Sequence, residues 1–339
     1  MTSKIIMGAI GIGRIGKIHI ENILRFFPDV ELRTICDIQI KPLSSWAKSL
    51  GIINTTSDPS KIFRDPDIQA VLIFSSTDTH SEFIIQAANA KKHIFCEKPI
   101  GNNLKRIRES LEAVKQNGVK LMLGFNRRFD HNFRRIKSVV TAGQIGIPHI
   151  IKITSRDPAP PPLEFLKRSG GLFFDMTIHD WDMARYLADD EVEEVYAIGS
   201  ALINPSIADF DIDTAVAVLK FKQGTMAIID NSRQAKYGYD QRVEVFGSEG
   251  AIMVDNDAPN TARIFTSNSI ESDKIHHFFL ERYMQSYKDE MIEFLECLRE
   301  NKNPSVTGYD GIQAVLIAEA AKKSLVEHRP VAISEIDSK

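Results

Sequence analysis

Short apolar runs alternate with longer amphipathic stretches through about residue 124. Runs at residues 4–10, 30–36, 70–74 and 119–125, and the one that ends at Glu97, read as strands buried on both faces. Helical patterns fall between them. Ile18, Ile20, Ile23 and Leu24 form a broad apolar stripe. Further helices are predicted over residues 41–50, after the turn Thr56-Ser57-Asp58-Pro59, over 81–90, and over 104–117, where Gly118 is a normal C-cap. Repeated strand–helix units predict an α/β domain over residues 1–124, built on a parallel doubly wound sheet.

After Gly124 the texture changes. Asn126-Arg127-Arg128-Phe129-Asp130 leads into a helix that ends near Gly143; residues 149–154 read as a strand, and Asp157-Pro158-Ala159-Pro160-Pro161-Pro162 as an extended loop. From residue 194 strands dominate, at 214–221, 225–231, 242–246 and 251–255. Gln223-Gly224 and Gly247-Ser248-Glu249-Gly250 separate two pairs of them at hairpin spacing. A mainly antiparallel sheet is expected, with one face left for water or a partner subunit. Helices over 283–300 and 308–327 close a second α/β domain assigned to residues 125–339, and no internal repeat is visible.

Bulk properties change this picture little. A length of 339 residues suits about two domains. The net charge of −3, with no basic block carrying interleaved aromatics, argues against nucleic acid as a partner. No apolar run approaches the roughly 18 residues that span a bilayer. The N-terminus lacks the basic-then-apolar build of a signal peptide. Cys36, Cys96 and Cys297 are odd in number and far apart, which fits a reducing, cytoplasmic setting, and no Cys or His spacing suggests a metal.

The candidate chemistry begins at once. The first strand runs into Gly11-Ile12-Gly13-Arg14-Ile15-Gly16 and then a helix, the context a Rossmann dinucleotide fingerprint requires. Gly11 permits the tight turn, Gly13 lets a pyrophosphate approach the backbone, and Gly16 lets helix and strand pack closely. The helix N-terminus adds free N–H groups and positive potential. Asp37 ends the second strand about twenty residues beyond Gly16, where a carboxylate accepts from ribose hydroxyls. Ile38 follows, with no arginine for a 2′-phosphate, so NAD is expected over NADP. Ser75, Ser76 and Thr77 end another strand with small groups that let a flat ring approach; His80 either touches the cofactor or starts the next helix. Glu97-Lys98-Pro99 sets an ammonium at the end of a central strand, where open α/β sheets bind ligands.

In the second half, Gly170-Gly171 precedes Asp175-Met176-Thr177-Ile178-His179-Asp180-Trp181-Asp182. Read as one helix, Asp175 and His179 stand at i and i+4 on a common face, with Asp182 nearly in line. A carboxylate beside an imidazole orients the ring and stabilises its protonated form, as a general base near neutral pH needs. The bland alternative is an exposed polar face with a surface ion pair.

Together these pieces resemble the glucose-fructose oxidoreductase/inositol dehydrogenase/rhizopine-catabolism (Gfo/Idh/MocA) family, over nearly the whole chain. The segments 175–185, Arg156-Asp157-Pro158 and Lys236-Tyr237-Gly238-Tyr239-Asp240-Gln241-Arg242 resemble its inositol-oxidising branch. The resemblance implies a Rossmann domain plus an α/β domain on a large open-faced sheet, and homo-oligomers formed through that face. It implies NAD-dependent oxidation of a cyclic polyol, myo-inositol to its 2-keto form, with scyllo-inositol, a deoxy-inositol or an aldose as alternatives. A non-catalytic dinucleotide sensor is the rival from another class. By resemblance Lys98, Asp175 and His179 are catalytic. Arg127 or Arg128, Asp157, Asp182 and one of Tyr237 and Tyr239 meet the substrate. The cofactor set comprises Gly11, Ile12, Gly13, Arg14, Ile15, Asp37, Ser75, Ser76, Thr77, His80, Glu97 and Lys98. One departure stands out: residues 154–157 contain no histidine, which some inositol dehydrogenases place there.

Overall fold

The structure, a computed structural model, describes residues 4–337. The chain divides into two compact units, Met1–Phe125 with Tyr287–Ile312, and Asn126–Ser286 with Gln313–Lys339.

In the first unit the order is β1 (Ile5–Ile10), α1 (Arg14–Phe26), β2 (Val30–Cys36), α2 (Ile40–Ser49), β3 (Asn54–Thr56), α3 (Ser60–Arg64), β4 (Ala70–Ile73), α4 (Thr77–Asn89), β5 (His93–Glu97), α5 (Leu104–Asn117) and β6 (Leu121–Gly124). The six strands pair in parallel in the order β3-β2-β1-β4-β5-β6. Every residue of β4 and β6 is buried, which explains their unbroken apolar runs. Connections run one way from β1 to β3 and the other from β4 to β6. The crevice at that reversal is where such sheets take ligands. The registers Ile10↔Cys36, Ile10↔Ile73, Ile73↔Cys96 and Glu97↔Gly124 align the strand ends, so Gly11, Asp37, Ser75 and Lys98 emerge along one edge.

The second unit opens on α6 (His131–Thr141) and β7 (Pro148–Arg156), followed by α7 (Leu163–Ser169), α8 (Leu172–Asp175) and α9 (Ile178–Ala188). Strands β8 (Val192–Ser200), β9 (Thr214–Phe221), β10 (Met226–Ser232), β11 (Asp240–Gly247) and β12 (Gly250–Val254) come next, then the small hairpin β13 (Arg263–Phe265) and β14 (Ile270–Ser272). The chain closes with α10 (Phe279–Arg299), α11 (Gly308–Glu327), β15 (Val331–Ala332) and α12 (Ser334–Asp337). A seven-stranded sheet runs β12-β11-β7-β10-β9-β8-β15. It is antiparallel except for β7 and β10, which pair in parallel. Burial alternates along β8 to β11, giving a packed face and an open one.

Two expectations need correction. Residues 287–312, assigned from the pattern to the second domain, pack with the first. Periodicity reports that α10 buries Met291, Phe294 and Leu295, not what they are buried against; the Phe294 ring lies 5.7 Å from that of Phe95 on β5. Second, the single helix expected from residue 172 is broken at Met176-Thr177. The Thr177 N–H skips to the Leu172 carbonyl, while the Trp181 indole N–H takes the Phe173 carbonyl at 3.1 Å. The continuous helical face invoked for Asp175, His179 and Asp182 therefore does not exist.

Candidate functional site

In the first unit, the β1–α1 turn is held by its glycines. Gly11 has φ +91°, and a Cβ there would meet the Ser75 nitrogen at 2.4 Å. A Cβ on Gly16 would lie 2.2 Å from the Gly11 carbonyl oxygen. In front of the exposed Gly13, by contrast, nothing lies within 4 Å of a Cβ. Packing thus fixes the first and third glycines and leaves the second open to a phosphate. Ile12 is buried and anchors the turn, Ile15 is half-buried and Arg14 is exposed. The first turn of α1 carries no acidic residue to offset its positive end. Asp37 accepts from the Ile12 and Gln39 N–H groups, at 2.7 Å each, which fixes the carboxylate beside the turn with lone pairs to spare for a diol. These residues fit an NAD dinucleotide. Asp37→Ser should lower the NAD:NADP ratio of kcat/KM about 10- to 100-fold in steady-state assays, because the repulsion of a 2′-phosphate disappears.

Around β4 and β5 the predicted residues brace one another. The Ser75 hydroxyl bonds that of Thr79 at 2.7 Å; exposed Ser76 precedes α4, which Thr77 begins. His80 is buried, its Nδ1 lying 2.7 Å from the Pro99 carbonyl and its Nε2 2.9 Å from that of Ser75. Both ring nitrogens are committed to backbone, so His80 ties the end of β4 to the Lys98–Pro99 segment. Burial depresses its pKa, against the pull of the two carbonyls. Lys98 is half-buried at the strand edge, and its peptide bond to Pro99 is cis. The Glu97 carboxylate turns inward to His19 Nε2 at 2.9 Å and accepts from the Lys98 N–H at 3.3 Å. Fully buried Glu290 completes this group, 3.6 Å from the same imidazole nitrogen. Burial and the Glu97 charge hold the Glu290 carboxyl well above the usual carboxylate range. The His19 ring stacks on Phe74 at 4.5 Å, with Phe95 and Tyr287 edge-on.

In the second unit, Asp175 ends α8 and binds the buried Arg233 guanidinium at 3.1 Å. His179 lies in the first turn of α9, half-buried. Buried Asp180 accepts from Arg127 at 2.5 Å and from the Asn231 side chain at 2.8 Å. Arg127 also reaches the Ser155 and Tyr239 hydroxyls, each at 3.3 Å. Asp182 is buried in a two-pronged pair with Arg128, at 2.8 and 2.5 Å. The tyrosines part company. The Tyr239 hydroxyl is buried beside Arg127, and burial pushes its pKa up to about 12. Tyr237 is half-exposed, donating to Asp240 at 2.6 Å and accepting from Arg156. Asp157, just past β7, has a pKa raised to about 6; burial is the largest cause, Asp175 and Asp180 add to it, and Arg233 and Arg127 oppose it. Among the described residues no side chain donates to its carboxylate. Arg127, Asp157, Asp175 and Tyr239 thus share one electrostatic neighbourhood with Arg233 and Asp180, two groups that sequence reasoning missed. Arg233 follows the alternating strand β10, and nothing in that pattern shows which way the next residue points.

Among known sequences, the pattern described as "Oxidoreductase family, NAD-binding Rossmann fold" matches residues 5–125, and the "GFO/IDH/MocA C-terminal domain" matches residues 133–253. A Bacillus subtilis protein called "Uncharacterized oxidoreductase YrbE" is 52% identical, covering 99% of each chain. "Myo-inositol 2-dehydrogenase" of Thermotoga maritima is 49% identical, covering 97% of this chain and 99% of its own. Among solved structures, scyllo-inositol dehydrogenase from Lactobacillus casei, with bound NAD(H) and scyllo-inositol, superposes with a TM-score of 0.91 at 31% identity, covering 98% of this chain and all of its own.

Proposed function

The chain belongs to the Gfo/Idh/MocA family of NAD-binding oxidoreductases, and from that premise we propose that it oxidises a ring hydroxyl of myo-inositol to the 2-keto form. The observation that carries the substrate class is the unclaimed Asp157 carboxylate among Arg127, Asp175, Arg233 and Tyr239. Such a cluster presents acceptors and donors in close succession, as a polyhydroxylated ring requires. A ligand without matching hydroxyls leaves these groups desolvated and unpaired, a penalty that separates substrates by up to about 10⁴- to 10⁵-fold.

In this reading His179 takes the hydroxyl proton as the C–H and O–H bonds break and the C=O bond forms. Lys98 donates to the oxygen as its negative charge develops. Asp175, held by Arg233 at 3.1 Å, orients the imidazole for that transfer. Bound NAD⁺ supplies the hydride acceptor. Arg127 and Asp157 meet the other ring hydroxyls. Asp182, held by Arg128, and Tyr237, held by Asp240 and Arg156, enter this proposal as supports of the pocket.

Incubating the protein with NAD and a panel of myo-inositol, scyllo-inositol, a deoxy-inositol and an aldose tests it. The highest kcat/KM is expected on myo-inositol. A preference for another member reassigns the substrate, and no NADH from any member favours the dinucleotide sensor.

The proposal includes a homo-oligomer in a reducing, cytoplasmic setting. All three cysteines are free and buried, and no helix among the described residues is long and apolar enough to cross a membrane. Tyr196, Ile198, Val216, Val218, Met226 and Ile228 stand on the open face of the second sheet, an apolar strip suited to a second copy. Ile228→Lys should lower the mass seen by sedimentation; an unchanged mass moves the interface elsewhere.

A further inference from the structure

Arg233 is 1% exposed at its side chain, yet its Nε and Nη2 have no hydrogen-bond partner. Its Nη1 holds Asp175 at 3.1 Å, and its Nη2 stands 4.0 Å from Asp211 Oδ2, another buried atom with no partner. The two carboxylates grip opposite ends of the four-residue helix α8. Asp175 is its last residue, and Asp211 accepts from the N–H of its first, Leu172, at 2.9 Å. Gly171 makes this possible, since a Cβ there would lie 2.8 Å from Asp211 Oδ1. Arg233 itself is anchored where β10 ends, its N–H donating to the Asp213 carbonyl at 2.8 Å.

A guanidinium withdrawn from water is tolerated only where anions surround it. Here Asp157, Asp175 and Asp211 do so. Its fixed fork can address two carboxylates at once, which a lysine ammonium cannot do with the same geometry. We propose that Arg233 is a positioning residue for the oxidation: it orients Asp175 and clamps α8 through Asp211, leaving Asp157 to receive a substrate hydroxyl. The inference rests on the functional reading above.

The test compares wild type, Arg233→Met and Arg233→Lys as full-length protein. With myo-inositol and NAD, Arg233→Met should lose about 10²-fold in kcat, the scale of a small misplacement of reacting groups, while its Kd for NAD stays within about twofold. Arg233→Lys should not restore kcat. Thermal melts from pH 4 to 8 provide a readout that does not depend on turnover. Asp157 has its pKa raised to about 6 in the fold, so it binds a proton there more tightly than in the unfolded chain. Its share of stability therefore falls as pH rises from about 4 to 6, and then levels off. Among the charges facing Asp157, Arg233 and Arg127 lower this value, while Asp175 and Asp180 raise it. Removing Arg233 should push the levelling point above 6, and lysine should bring it back. An unchanged kcat in Arg233→Met overturns the inference, as does a Tm loss equal at every pH. If no polyol of the panel supports NAD reduction by wild type, the functional reading falls, and the levelling point alone decides whether Arg233 governs this carboxylate cluster.

Discussion

His179→Ala should lower kcat by about 10²- to 10⁴-fold, the range a positioned proton acceptor contributes. The groups that fit NAD, namely the Gly11–Gly16 turn and the Asp37 carboxylate, lie in the first unit, whereas His179 lies on α9 of the second. The Kd for NAD should therefore stay within about twofold. The loss should appear in kcat and kcat/KM alike, the signature of an interaction made in the transition state. Fluorescence titration with NAD and steady-state kinetics check both. A matching loss of NAD binding would make His179 structural. Lys98→Arg should also be slow, because a planar fork cannot take the place of a compact ammonium at the developing oxyanion.

Asp130→Ala should cost about 3–5 kcal/mol of stability. Asp130 and Arg282 are 1% and 2% exposed at their side chains and meet as a two-pronged pair, one arm at 2.9 Å. Deleting the carboxylate leaves a buried guanidinium facing only the partly exposed Asp257 among the described carboxylates, at 2.9 Å. The same change removes the N-cap of α6, where Asp130 accepts from Asn132 and Phe133, adding about 1 kcal/mol. A fall in Tm of roughly 8–24 °C is expected by calorimetry for the two losses together. Asp130→Asn with Arg282→Met should do far less damage, since no charge stays stranded. A shift under about 2 °C for Asp130→Ala would show that water reaches Arg282.

The alternation through residue 124 was legible because parallel strands must be buried on both faces, which writes continuous apolar runs such as Ala70–Ile73. The glycine turn was legible for a similar reason: only glycine tolerates the 2.2 Å approach at Gly16. The parallel pairing of β7 with β10 was hidden, because period-two alternation is the same for either direction. The break at Met176-Thr177 was hidden too, since it follows from the Trp181 indole reaching back to the Phe173 carbonyl. Arg233, Asp180 and Glu290 share one trait: each is an ionisable side chain buried by tertiary partners distant in sequence. Neighbouring residues carry no trace of such a partner.

The return of Tyr287–Ile312 to the first unit bears on how a ribosome can make this protein. Strand β6 is flanked by that segment, with Leu123 donating to the Val306 carbonyl and Met122 bridging Thr307. Gly308 and Gly311 leave room for Leu111, Leu121 and Leu123. A nascent chain released as far as Phe125 therefore has every strand of its first sheet but lacks part of the cover over the last of them. At about 5–20 residues per second, that apolar edge waits about 8 to 37 seconds for the segment that shields it, an interval in which a holdase chaperone has its opening.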